Sequence, residues 1–223
     1  MKLPGIFQSD RVWFMSDLHI NHVNVIRHDS RPFDDLSDMH AFIEQELTTK
    51  LKKGDILFDL GDLFWSMSVP RCKAWLDKIP ATEIYKVMGN HDKYNLYRGN
   101  QKPLADYFQA IGDIMDIVVE TPDKERYRLT LSHYPILSWN HKSRGSIMVH
   151  GHCHGHLDQY NNESKDLRFD IGFSSEIAKN LGSPLVPFSE VLKKILEKTG
   201  GKTPEEYVKE NYNNIDIDTD GKN

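Results

Sequence analysis

The chain has 223 residues, 39% of them hydrophobic, and two cysteines, Cys72 and Cys153, far apart in sequence, which fits one sizeable core, a single domain over residues 1–210 and no disulfide framework. Its formal net charge of −5 argues against a duplex-binding module that depends on phosphate neutralisation, while a small phosphorylated substrate held through bound metal stays open. The opening residues do not resemble a signal peptide and no apolar run is long enough to span a bilayer, so a cytoplasmic protein without membrane association is expected.

Along the chain, "RVWFM" is the first strand signal, and Ser16, Asp17, Leu18 and His19 follow it at once. Met39, Phe42, Ile43, Leu47 and Leu51 then share one face at helical spacing, with Ser37 as the expected N-cap and Asp38 in the first turn. "DILFDL" precedes Gly61 and Asp62, and a short helix is expected over 70–79. "EIYKVM" precedes Gly89, Asn90, His91 and Asp92, and a second short helix is expected over 103–111. Strand alternating with helix implies a largely parallel sheet in this half, where ligands gather beyond the carboxyl ends of the strands.

After residue 112 the pattern changes. "DIMDIVVE" and "RYRLTLSH" read as a hairpin joined at "TPDK", so a second, more antiparallel sheet is expected. Ser132 and His133 end the second of these runs, and "SIMV" precedes His150, Gly151, His152, Cys153 and His154. A helix is expected over 189–198 with Ser189 as its cap, and "TPEE" at 203–206 reads as a capping box with Pro204 at the first helical position. Residues 211–223 are expected to form a flexible tail. Within it "DIDTDG" at 216–221 matches the first half of a calcium loop, but no closing Glu follows, so an acidic tail is the better reading.

Five apolar runs thus end in metal-capable side chains. In an extended segment side chains alternate, so Asp17 and His19 face one way, as do His152 and His154, while Cys153 points the other. Gly61, Gly89 and Gly151 allow sharp turns and close backbone approach. Carboxylate, imidazole and amide donors without thiolate suit Mn²⁺ first, with Fe²⁺, Zn²⁺ and Ni²⁺ as alternatives, and their number exceeds what one ion needs. A zinc knot at "HCH" lacks a second close ligand pair, because Cys72 offers none. His150 and His156 are expected to support the site from behind or to lie at the surface.

Asp17-x-His19, Gly61-Asp62, Gly89-Asn90-His91-Asp92, His133 and Gly151-His152-x-His154, in this order, resemble the blocks of the calcineurin-like metallophosphoesterase family. The stretch "SDLHINHVNVIRHDSRPF", with His22, Asn24, Ile26, Arg31, Pro32 and Phe33, and the stretch "SHYPILSW" are similar to a small prokaryotic and phage subgroup of it. The resemblance implies an α/β fold, a four-layer α/β/β/α sandwich of two mixed sheets with the active site at the carboxyl ends of the strands. It also implies two divalent ions, about 3.5–4 Å apart, one on Asp17, His19, Asp62 and His154. Asp62 would bridge to the second, on Asn90, His133 and His152.

The function so implied is phosphoester hydrolysis by a metal-bridging hydroxide, with His91 protonating the leaving group and Asp92 orienting its ring; in the alternative, His91 only stabilises charge in the transition state. His22 and Arg31 are candidate phosphate contacts, although Arg31 serves equally as a structural ion pair. Trp139 and Arg144, in a loop with His141 and Lys142, either grip a nucleobase and phosphate or form a solvated loop around a packed Trp. "GDLFWSM" departs from relatives with an arginine or further acid after the second block, leaving Phe64 and Trp65 to line the site or fill core. Phosphodiester or nucleotide substrates, short nucleic acid included, are favoured over a phosphomonoester or phosphoprotein. A non-catalytic scaffold ranks last because none of the expected ligand positions is lost, and no obligate protein partner is evident.

Overall fold

The computed structural model describes residues 1–81, 83–92 and 103–212. In one sheet β2 (Val12–Met15), β3 (Ile56–Asp59), β4 (Glu83–Val87) and β5 (Ala110–Gly112) run parallel, and β10 (Val186–Pro187) pairs antiparallel with β2. The other sheet has the order β1 (Phe7–Gln8), β6 (Ile114–Glu120), β7 (Arg126–Ser132), β8 (Ile147–His150) and β9 (Arg168–Asp170). Each sheet is therefore mixed, and the second is no more antiparallel than the first. Only β6–β7 is a hairpin there, since the connections 133–146 and 151–167 are long enough to return the chain for parallel pairing.

The strands read as apolar runs because both faces of the first sheet are covered. Phe14, Phe58, Leu60 and Val87 point into the core between the sheets, against Ile117, Leu129, Ile147 and Val149. Met15, Leu57 and Ile84 point the other way, onto Met39, Ile43 and Leu47 of the helix Leu36–Lys50 and Cys72 and Leu76 of the helix Val69–Leu76. The far face of the second sheet carries a thinner, polar layer. There Asn161, in the helix Asp158–Glu163, accepts from Arg168 Nε (2.8 Å) and donates to His150 Nε2 (3.1 Å). The four layers expected from the sequence are thus present.

Several local boundaries differ from expectation, and the helix expected over 70–79 runs Val69–Leu76. Asp35, not Ser37, caps the long helix, because its extended backbone lets Oδ1 accept from the amides of both Ser37 (2.7 Å) and Asp38 (3.0 Å). Over 103–111 there is only a 3-10 turn, Ala105–Tyr107, because the free edge of β4 draws the next residues into β5. The helix Phe188–Thr199 begins at Pro187 without a side-chain cap, with Ser189 already inside it. Asn211 and Tyr212 belong to the helix Pro204–Tyr212 rather than to a tail. That helix has the expected box: Glu206 Oε2 accepts from the Thr203 amide (3.0 Å), and Thr203 Oγ1 from the Glu206 amide (3.3 Å). The stretch 213–223, with the calcium-loop-like 216–221, lies outside the described residues. Among the described residues no helix is long and apolar enough to cross a membrane.

Candidate metal centre

The loops leaving β2, β3, β4, β7 and β8 meet at one end of the sandwich, laced by main-chain hydrogen bonds. The amides of Asp17, His19 and Ile20 donate to the carbonyls of Gly61, Asp62 and Leu63 at 2.9–3.0 Å, and Gly151 donates to His133 (3.1 Å). These segments are not extended. Asp17, His19, Asp62, His152 and His154 all take left-handed backbone conformations, with φ between 50° and 68°, each costing on the order of 1 kcal/mol. Such strain gathers where geometry is imposed for function. The period-two alternation expected for Asp17 and His19 is therefore replaced by successive left-handed turns, which still bring His19 Nε2 to 4.0 Å from Asp17 Oδ1. Gly151 permits the close approach, since a Cβ there would strike Ser16 Oγ and the Asp17 carboxylate; at Gly89 it would strike the Asp62 carboxylate.

Two overlapping donor groups result, Asp17 with His19 and His154, and Asp17 with Asp62 and His133, each with its atoms within 4.8 Å of one another. In the first, His19 Nε2 and His154 Nε2 lie 3.2 Å apart and His154 Nε2 is 3.5 Å from Asp17 Oδ1. In the second, His133 Nε2 is 3.5 Å from Asp62 Oδ2 and 3.0 Å from Asn90 Oδ1. Asp62 Oδ2 also lies 3.8 Å from His19 Nε2, so both aspartates stand between the two groups. His152 is at the rim, its amide donating to Asp17 Oδ2 (2.9 Å) and its ring centroid 5.0 Å from that of His133.

The electrostatics fit a cation. Asp17 is fully buried, Oδ1 has no hydrogen-bond partner, and burial pushes its carboxyl up to about 7. Burial, with His154 and Arg31 nearby, pushes His19 down to about 2, and burial pushes His133 down to about 3. His133 Nδ1 donates to the Leu60 carbonyl (2.9 Å), which leaves Nε2 with its lone pair facing Asp62 and Asn90. Neutral imidazoles around buried carboxylates, one oxygen of which is orphaned, form a donor set that a divalent ion satisfies.

Around this set the remaining site residues divide. His91 is partly exposed, its side chain retaining 38% of its accessibility, with Nε2 3.9 Å from Asp62 Oδ2. Its ring packs 4.3 Å from Trp65, which stacks on His22 at 3.8 Å and 9°, so Trp65 lines the site while Phe64 is core. Asp92 does not serve the His91 ring as expected. Its Oδ2 accepts from the amides of Gly89 (2.8 Å) and Asp62 (3.0 Å) and from Lys86 Nζ (2.8 Å), and a buried ammonium with two fixed amides outcompetes a partly exposed imidazole.

Arg31 is likewise not a phosphate contact. It is buried, with Nη2 on the Asp17 carbonyl (2.7 Å), Nη1 on that of Leu18 (3.0 Å) and Nε on Ser174 Oγ (3.2 Å). Trp139 is buried within its own loop, donating from Nε1 to the Ser146 carbonyl (3.0 Å) under Lys142. Arg144 is exposed in a 3-10 turn, Lys142–Arg144, that packs against the helix Pro204–Tyr212. His150 supports the ligand loop from behind, donating from Nδ1 to the Gly151 carbonyl (2.8 Å), and His156 is exposed.

Three residues of the site were not singled out from sequence. Tyr134, 43% exposed, stands with its ring centroid 4.6 Å from that of His152; its signal was its place directly after His133. Asp29 Oδ2 accepts from His154 Nδ1 (2.6 Å) and from Ser174 Oγ (2.6 Å). The signal for Asp29 was its place beside Arg31 in "RHDSRPF", and Ser174 had none.

The model of the calcineurin-like phosphoesterase family matches residues 10–216. An uncharacterised protein of Methanocaldococcus jannaschii is 28% identical over 151 residues, covering 67% of this chain and 73% of that protein. The gene 66 protein of Mycobacterium phage D29 is 28% identical over 165 residues, 66% of this chain and 79% of its own. Among solved structures, a protein of unknown function from Aquifex aeolicus superposes with a TM-score of 0.57 at 22% identity, covering 82% of this chain and 98% of that one, a likeness of fold.

Proposed function

The chain belongs to the calcineurin-like phosphoesterases, metal-dependent hydrolases of phosphate esters, and from that premise we propose that it cleaves phosphodiester or nucleotide substrates at a centre of two divalent ions. Asp17, His19, Asp62 and His154 would hold one ion and Asp62, Asn90, His133 and His152 the other, with Mn²⁺ the first choice of metal. The observation that carries this reading is the buried, unpartnered Asp17 Oδ1, 3.5 Å from one imidazole nitrogen and 4.0 Å from another. Bound ions would supply positive charge against the phosphate oxygens and make a coordinated water more acidic.

The chain's own residues do the rest. His91 reaches the cleft from the rim, where it can hand a proton to the departing oxygen. Trp65 and the stacked His22 limit the swing of its ring. Asp92 and Lys86 hold the Gly61–Asp62 and Gly89 turns in register.

The lean toward diesters rests on charge. Among the described residues, Arg31 and Lys86, the buried cations in contact with the centre's own residues, are spent on carbonyls, a hydroxyl and the carboxylates of Asp29, Asp59 and Asp92. A monoester dianion demands more fixed positive charge than a diester monoanion. The test is to compare turnover of bis- and mono-p-nitrophenyl phosphate with Mn²⁺. Faster cleavage of the diester is expected, and a strong monoester preference would reverse the ordering.

A further inference from the structure

One carboxylate oxygen gathers three parts of the chain behind the centre. Asp29 Oδ2 accepts from His154 Nδ1 (2.6 Å), Ser174 Oγ (2.6 Å) and Arg31 Nη2 (3.2 Å). Asp29 follows the helix Val23–His28, and Ser174 lies between β9 and the helix Glu176–Leu181, so segments remote in sequence close on one atom. Arg31 extends the network forward, because the same guanidinium donates to the carbonyls of Asp17 and Leu18.

The chemistry of imidazole gives this arrangement a consequence. A neutral ring has one N–H and one lone pair. With Nδ1 donating to Asp29, the lone pair falls on Nε2, the atom 3.2 Å from His19 Nε2 and 3.5 Å from Asp17 Oδ1. Three donors converge on this one oxygen, the His154 ring, the Ser174 hydroxyl and the Arg31 guanidinium, so Asp29 is held in place as their common acceptor.

We propose that Asp29 is a positioning residue for the metal centre: it fixes the His154 ring with Nε2 turned toward the ligand set, thereby setting the affinity of the Asp17–His19–His154 group for a divalent ion. This rests on the metalloenzyme reading above. A carboxylate behind a ligating histidine fixes its tautomer and raises its basicity, and removing it typically costs about 10–100-fold in metal affinity.

The test is calorimetric titration of chelator-stripped protein with Mn²⁺, comparing wild type, Asp29→Asn, Ser174→Ala and His154→Ala. Asp29→Asn is expected to weaken one of two binding events about 10–100-fold and to leave the other nearly unchanged. Ser174→Ala, which removes a neutral donor without touching His154, is expected to bind nearly as the wild type. On the His154→Ala background Asp29→Asn is expected to add little, because the two residues act on one interaction. A merely structural role would instead lower both events and add to His154→Ala.

Should stripped Asp29→Asn fail to fold, Asp29→Glu takes its place, since it keeps the charge beside Arg31 but moves the carboxylate out of line with Nδ1, and the same loss is expected. Wild-type binding of two ions, unchanged in the Asp29 variant, would overturn the role of Asp29 alone. A folded wild type that binds no Mn²⁺ would overturn the metalloenzyme reading as well.

Discussion

Lys86→Met removes the single ammonium that two fully buried carboxylates share. Lys86 Nζ lies 2.7 Å from Asp59 Oδ2 and 2.8 Å from Asp92 Oδ2, and all three side chains are almost inaccessible to water. Met preserves the length and apolar stem of the lysine, so the change is one of charge rather than shape. Breaking a buried ion pair by deleting one partner costs about 3–5 kcal/mol, because the remaining charge is stranded in a poor solvent. For a protein of this size that corresponds to roughly 6–20 °C in Tm.

The loss should depend on pH. Burial pushes the Asp59 carboxyl up even with the lysine present, so its proton is favoured by folding: stability from this group is fully present below the ordinary carboxyl value and is lost as pH rises through the raised one. Without the ammonium that value rises further, and near pH 5 proton uptake relieves the stranded charge. The wild-type lysine, whose pKa is held above its ordinary value by Asp59 and Asp92 against the opposing effect of burial, stays charged at both pH values. Urea unfolding of metal-stripped wild type and variant at pH 5 and pH 8, followed by circular dichroism, is the assay. A deficit under about 1 kcal/mol at pH 8, or one of the same size at pH 5, would refute a charge-based role for Lys86.

Two other outcomes follow from the same geometry. His91→Gln should leave metal content unchanged while lowering kcat about 10²–10⁴-fold on esters with poor alkoxide leaving groups, and much less with p-nitrophenolate; equal losses on both, measured by steady-state kinetics, would remove the proton-donor role. Asp158 accepts from the Glu176 amide (2.6 Å) and burial pushes its carboxyl up from 3.8 to about 6. Its favourable, protonated state is complete below about 3.8 and lost as pH rises through about 6. Asp158→Asn should therefore be the more stable protein at pH 8, by up to about 1 kcal/mol for this partly solvated group. The two should converge below pH 4, and equal urea midpoints at pH 8 would contradict this.

The strand-end clusters were legible because burial makes the core-facing positions of β2, β3, β4, β7 and β8 apolar before the ligand loops begin, the buried Asp59–Lys86 pair being a charged exception. Contrast between Phe14 or Val149 and the polar residues just beyond them marks the site in one dimension. What happens after each strand was less legible. The left-handed turns at Asp17, His19, Asp62, His152 and His154 follow from cross-loop hydrogen bonding and not from residue type, so a period-two rule reached the right convergence by the wrong path.

Partner choice was also hidden. Arg31 and Trp139 carry chemistry suited to a substrate, yet both are consumed by carbonyls of the protein itself, Arg31 by Asp17 and Leu18 and Trp139 by Ser146. Trp65, read beside Phe64 as lining the site or filling core, is the ring that touches His91 and His22. Asp29 is one acid among several near the start of the chain, and only the fold reveals that His154, distant in sequence, donates to it.

Asp17, His19, Asp62, Asn90, His133, His152 and His154 are proposed to form a two-ion hydrolytic centre. Elemental analysis of protein purified without chelator, paired with hydrolysis of bis-p-nitrophenyl phosphate before and after EDTA and again after Mn²⁺ is restored, addresses it directly. Such a centre should hold about two ions per chain, with turnover abolished by chelation and recovered with Mn²⁺. Fewer than about one ion per chain after reconstitution, with no turnover, would contradict it.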